Sequence, residues 1–168
     1  MGWCVRVLTA AALLAAVTAC DPSGRAYEDV RLARLTVGES SEQDVRKLFG
    51  DPHAVRDLPG SKGLVYPLGP EGLHTLLIKI GPDGKYQGRE DLLTRANFQR
   101  VYPGMGQAEV LTVLGPPGRS QVYRLKNETA WEWRFKDGAD SRVFVVMFSA
   151  AGKVVSTAVE ETPRIGGG

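Results

Sequence analysis

The chain has 168 residues with a formal net charge of +2, 43% hydrophobic and 24% charged residues, two cysteines and two histidines. That balance belongs to a foldable protein and excludes a disordered polyampholyte or a cysteine-rich disulfide scaffold. Twenty-one basic against 19 acidic residues make no concentrated cationic field, so no nucleic acid is expected as a partner.

The N-terminus carries one positive charge, Arg6, then an uncharged apolar run from Val7 to Val17 and the small residues Thr18 and Ala19 before Cys20. This is the three-part layout of a secretory signal. As a helix, residues 7–19 would span only about 20 Å, short of the roughly 30 Å hydrocarbon core, so a permanent transmembrane helix is not expected. Val17-Thr18-Ala19-Cys20 resembles the lipobox of bacterial lipoproteins. The resemblance implies cleavage after Ala19, diacylglycerol on the Cys20 thiol and an acyl chain such as palmitate on its amine. Residues 1–19 are then the signal peptide, and residues 20–26 the lipidated cysteine with a flexible tether. Processing removes Cys4 and blocks Cys20, leaving 149 residues, a net charge of +1 and neither a free thiol nor a disulfide. Several acyl chains on one residue anchor durably where a single chain binds marginally.

Leu32 and Leu35, three apart and ahead of Gly38, predict one face of a short helix. Ser40 and Ser41 can cap a second helix with Asp44 in its first turn. That helix points Val45, Leu48 and Phe49 inward, with Gly50 in a left-handed end position and Pro52 forbidding continuation. Leu64–Leu68 predicts a strand that Pro67 should keep short or at an edge. Thr75–Ile80 predicts the next, turning through Gly81-Pro82-Asp83-Gly84 into a strand near Lys85–Gly88.

The order then repeats. Phe98 and Val101 precede Gly104, Gly106 stands at a cap, Val110, Val113 and Leu114 face inward, and Gly115 and Pro117 end the helix. Trp131, Trp133 and Phe135 alternate with Glu132 and Arg134 as a half-buried strand. Val143–Phe148 follows, turning through Ser149-Ala150-Ala151-Gly152 into Lys153–Val159. Gly38 matches Gly104 at an offset of 66, Gly50 matches Gly115 at 65, and Ile78 matches Val146 at 68. A period of this size means two copies of one supersecondary unit. The expected fold class is therefore α+β: a tandem duplication of a helix-helix-three-stranded antiparallel meander, over residues 27–92 and 93–161, with helices packed on one sheet face. Residues 162–168 are expected to be a disordered tail.

The string from Val101 to Pro117, with Gly104-Met105, a small cap, a helix containing Val110 and Leu114-Gly115-Pro116-Pro117, resembles the SmpA/OmlA (BamE-like) lipoprotein family. Trp131 and Trp133 fit its aromatic strand. The first copy is degenerate, with Glu39 where methionine would stand, and Gly106 replaces the threonine usual after Met105. The resemblance implies a lipid-anchored protein at the outer membrane that supports protein assembly or envelope integrity, with the β-barrel assembly machinery as partner. Two units in tandem also resemble the β-lactamase inhibitor proteins, which implies a protein-binding or inhibitory module as the alternative. Asp21 after the lipidated cysteine resembles an inner-membrane retention signal and opens that second location.

Catalysis is not expected. His53 and His74 have no histidine, glutamate or cysteine at ligand spacing, and no nucleophile elbow or phosphate-binding loop occurs. No metal, cofactor beyond the acyl groups on Cys20, or small-molecule substrate is expected. The set Trp131, Trp133, Phe135, Phe144 and Phe148 reads as core. Val143, Val145 and Met147, on the opposite face of the same strand, are apolar too, and a sheet apolar on both faces needs a second cover. That face, away from the helices, is the expected protein-binding site.

Overall fold

A computed structural model describes residues 30–68 and 72–162. Helix α1, Glu42–Phe49, starts as its serine dictates. Ser41 Oγ accepts the Asp44 N–H at 3.2 Å, and Asp44 Oδ2 accepts the Ser41 N–H at 3.0 Å. This reciprocal box satisfies two donors that the first turn would otherwise leave unpaired. Gly50 ends the helix at φ 80°, but its ψ of −162° is extended rather than left-handed helical, which sends the chain straight toward a strand. Ahead of α1, Leu32–Arg34 forms one 3₁₀ turn.

Four strands follow, β1 (Ala54–Leu58), β2 (Ser61–Leu68), β3 (His74–Ile80) and β4 (Tyr86–Asp91), paired antiparallel in that order. Pro59-Gly60 closes the first hairpin between paired Leu58 and Ser61, with Gly60 at φ 71° supplying the conformation a tight turn needs. The second half runs α2 (Arg95–Phe98), α3 (Gln107–Leu114), β5 (Arg119–Tyr123), β6 (Glu128–Asp137), β7 (Asp140–Phe148) and β8 (Val154–Glu161). Its strands form a second antiparallel sheet in chain order. At α3 the Gly106 N–H donates to Glu109 Oε2 at 2.7 Å, half of the arrangement Ser41 completes at α1.

The expected α+β unit of two helices and a three-stranded meander is overturned. Among the described residues the chain is mostly β, with two four-stranded antiparallel sheets and α-helices of at most eight residues. The unexpected strands are β1 and β5. Each is a five-residue edge strand whose side chains are half-buried or exposed, so neither carries the apolar alternation that announces a strand. The expectation for Pro67 fails too, because β2 is an eight-residue inner strand. Val65 turns its carbonyl toward the β1 side, where it accepts from the His53 N–H. Alternation turns residue 67 the same way, beyond the last β1–β2 pair at Ala54 and Val65, so its missing N–H costs no ladder bond.

Each sheet buries its helix-side face. In the first, Leu64, Tyr66, Ile78 and Ile80 pack under Leu32 and Val45. In the second, Trp133, Phe135, Phe144, Val146 and Phe148 pack under Phe98, Val110 and Leu114. Phe98 stacks on Phe144 with centroids 4.3 Å apart and meets Phe135 edge-on at 4.6 Å, geometries aromatic pairs favour. The first sheet also has a small second core of Val65, Leu77 and Leu92 on its other face.

Candidate functional site

The ladder between β6 and β7 fixes what the second sheet shows to solvent. Trp133 is opposite Phe144 and Trp131 opposite Val146, and these point to the helices. The alternate pairs, Ala130 with Met147, Glu132 with Val145 and Arg134 with Val143, therefore share the outer face, on which Ala130 is buried and the others half-buried. Val143, Val145 and Met147 are half-buried there, while Phe144, Val146 and Phe148 between them are buried. Across that face β8 contributes Ala158 opposite Val145 and Ser156 opposite Met147, both exposed. An ion pair of 3.8 Å between Arg119 and Glu132 lies at its β5 side. The outer face is an apolar row in a polar frame.

A second cluster joins the sheets. Arg56, on β1, donates from its two terminal nitrogens to the carbonyls of Thr112 and Leu111, each at 2.7 Å. These carbonyls belong to the last turn of α3, where a cation is favourable, and the Leu111 carbonyl also accepts the Gly115 N–H at 2.9 Å. Burial pushes the Arg56 guanidinium below its ordinary value, with Glu90 partly opposing. Gly115, next in line, carries φ 77°, and a Cβ there would lie 2.7 Å from Thr75 Cγ2, with Val65 and Leu92 close behind. Its carbonyl accepts from Trp133 Nε1 at 3.3 Å. His53, Arg56, Leu111 and Pro116 line a shallow cleft beside this joint. Beyond it, Arg95 of α2 donates to Asp137 Oδ1 at 3.0 Å, and that arginine holds the Asp137 carboxyl below the usual aspartate range.

The histidines are not brought together. His53 sits in the cleft, whereas His74 Nδ1 lies 2.6 Å from Asp91 Oδ2 at the edge of the first sheet. Asp91 Oδ1 also accepts the N–H groups of Thr75 and Leu93, so the pair fixes the chain as it leaves the sheet. Among the described residues no three His, Cys, Asp or Glu side chains gather at metal-binding range, and no helix is long and apolar enough to cross a membrane. The signal residues through Ala19, Cys20 and its tether lie outside the described residues, as does the tail from residue 163. Arg56 is what sequence reasoning missed. Its only sequence signal is a charged residue inside a short segment that starts just after Pro52, and its partner lies more than fifty residues away.

No family model matches the chain, and no curated protein matches it. Among solved structures it is similar to a protein provisionally named as the osmotically inducible lipoprotein OsmE, with 28% identity over 36% of this chain and 64% of that one, at a TM-score of 0.34. It is also similar to the DUF4309 family protein YjgB of Bacillus subtilis, 14% identical over 76% of this chain and 82% of that one, at a TM-score of 0.30. A protein of Streptococcus mutans provisionally named as a β-lactamase inhibitor is 14% identical over 78% of this chain and 93% of that one, at 0.35. The chain thus spans 64% of the length of the lipoprotein it matches.

Proposed function

We propose that the mature chain is a non-enzymatic, lipid-anchored protein of the bacterial envelope that works as a protein-interaction module. The observation that carries the reading is the outer face of the second sheet. Val143, Val145 and Met147 form a half-exposed apolar row on a rigid strand whose alternate residues are fixed in a dense aromatic core. Such a row gains by removal from water, and its charged rim can set the register of a partner. The lipobox-like Val17-Thr18-Ala19-Cys20 supports the anchor, and the Val101–Pro117 string supports the outer membrane and the β-barrel assembly machinery as location and partner.

Two measurements test this. Metabolic labelling with a palmitate analogue should mark the native chain and leave Cys20→Ser unmarked; an unlabelled native chain ends the anchor reading. Affinity purification from detergent-solubilised membranes should recover assembly-machinery subunits with the native chain and lose them with Val145→Glu or Met147→Glu. Equal recovery by the variants removes the face from the interaction. Recovery of a single soluble enzyme instead supports the inhibitory alternative.

A further inference from the structure

The hairpin between β5 and β6 is longer than closure requires. Its counterpart between β1 and β2 closes with Pro59 and Gly60 alone, whereas here Arg124-Leu125-Lys126-Asn127 separate the paired residues Tyr123 and Glu128. The extra length is ordered. Tyr123 accepts the Lys126 N–H at 3.1 Å, Arg124 accepts the Asn127 N–H at 3.3 Å, and Asn127 takes φ 52°, which asparagine tolerates. At the apex Leu125 is fully exposed, with Val122 and Tyr123 exposed behind it. Arg124 and Lys126 flank it, also exposed, and neither joins an ion pair among the described residues.

One exposed leucine is ordinary. An apolar apex between two exposed cations, with a tyrosine at its shoulder, matches the layering of an anionic bilayer surface, where phosphates lie above acyl chains and aromatic rings settle between them. The tip is convex, so it offers no groove to a peptide or small molecule.

We propose that this hairpin tip is a second membrane contact. Leu125 enters the boundary between headgroups and acyl chains of an anionic phospholipid leaflet, and Arg124 and Lys126 pair with its phosphates. The proposal rests on the lipid-anchor reading, because an anchor at Cys20 makes the second contact intramolecular, and a weak contact then suffices to hold one orientation. In an antiparallel meander the β5–β6 and β7–β8 turns leave the same end of the sheet. Docking by that end raises the strands from the bilayer and leaves the outer face free for a protein.

The test uses the full lipidated chain with Leu125→Cys carrying an environment-sensitive, apolar fluorophore, the only free thiol once Cys4 is removed and Cys20 acylated. Reconstituted into vesicles of phosphatidylcholine with phosphatidylglycerol, the label should be quenched by nitroxide-bearing lipids. In phosphatidylcholine alone it should not. Quenching should vanish near 1 M salt, where the Debye length is about 3 Å. Arg124→Gln and Lys126→Gln should each lower the docked-to-free ratio roughly fivefold. Protein that floats with anionic vesicles while its label stays in water overturns the tip proposal and spares the anchor. Protein that does not float overturns both. Crosslinking from position 125 to an acidic protein, with no quenching by lipid, reassigns the tip to a protein partner and overturns the membrane contact.

Discussion

Asp44 shows how one residue pair sets a local pH response. The Ser41 backbone N–H, and then its hydroxyl, hold the Asp44 carboxyl down from the ordinary 3.8 to about 2. The folded state favours the ionised form. The stabilisation it lends is therefore present above pH 3.8 and lost as pH falls through about 2. Ser41→Ala should raise the Asp44 pKa, read by titrating its carboxyl carbon by NMR; a value still near 2 would assign the shift to the backbone N–H and Lys47. Gly50 and Gly115 make a second residue-scale comparison, since both end helices at nearly equal φ, 80° and 77°. A Cβ at Gly50 meets nothing within 4 Å, whereas one at Gly115 meets Thr75, Val65 and Leu92. Gly50→Ala should cost the backbone strain alone, about 1–2 kcal/mol. Gly115→Ala should cost about 1–3 kcal/mol more through overpacking, measured by urea denaturation of both variants.

At the scale of elements, the informative contact is β1 with the end of α3. The guanidinium of Arg56 donates to the Thr112 carbonyl and adds a second donor to the Leu111 carbonyl, which already accepts the Gly115 N–H. Arg56→Met should destabilise the chain by about 1–2 kcal/mol. Arg56→Lys should restore only part, because one ammonium lacks the fork that reaches both oxygens. Equal stability of native chain and Arg56→Met in denaturant titrations would mean that water satisfies the carbonyls as well. The caps of α1 and α3 were legible from Ser41, Asp44, Gly50 and Gly115, since each acts within a few residues of itself. Strands β1 and β5 were not legible from apolar pattern, although Pro59-Gly60 marks the turn that pairs β1 with β2.

For the molecule as a whole, strand β7 separates folding from recognition by one residue. Val146→Glu puts a carboxylate into a site of no exposure on the helix-side face, opposite Trp131, and should prevent folding, seen as loss of the thermal transition. Val145→Glu, its neighbour on the half-exposed face, should keep a cooperative transition within a few degrees of the native one while abolishing partner recovery. If Val145→Glu unfolds as well, the outer face is core and the proposed interaction site is withdrawn. The aromatic set Trp131, Trp133, Phe135, Phe144 and Phe148 packs on the helix side, as its alternation in the sequence requires.

The offset between matching positions rises after α1 and α3, and the structure locates most of the cause. Gly50 and Gly115 differ by 65 residues and Ile78 and Val146 by 68, and the longer β5–β6 turn accounts for two of the added residues. By itself the sequence determined the ends of α1 and α3, the inner strands β3, β6 and β7, and which residues of β7 face which way. These follow from hydrogen bonding and periodicity over a few residues. Tertiary structure alone decided that each sheet has four strands, that Pro67 lies where no ladder bond is lost, and that Arg56 and Gly115 join the two halves. Those outcomes depend on what one segment meets from another far along the chain, and no local pattern encodes that meeting.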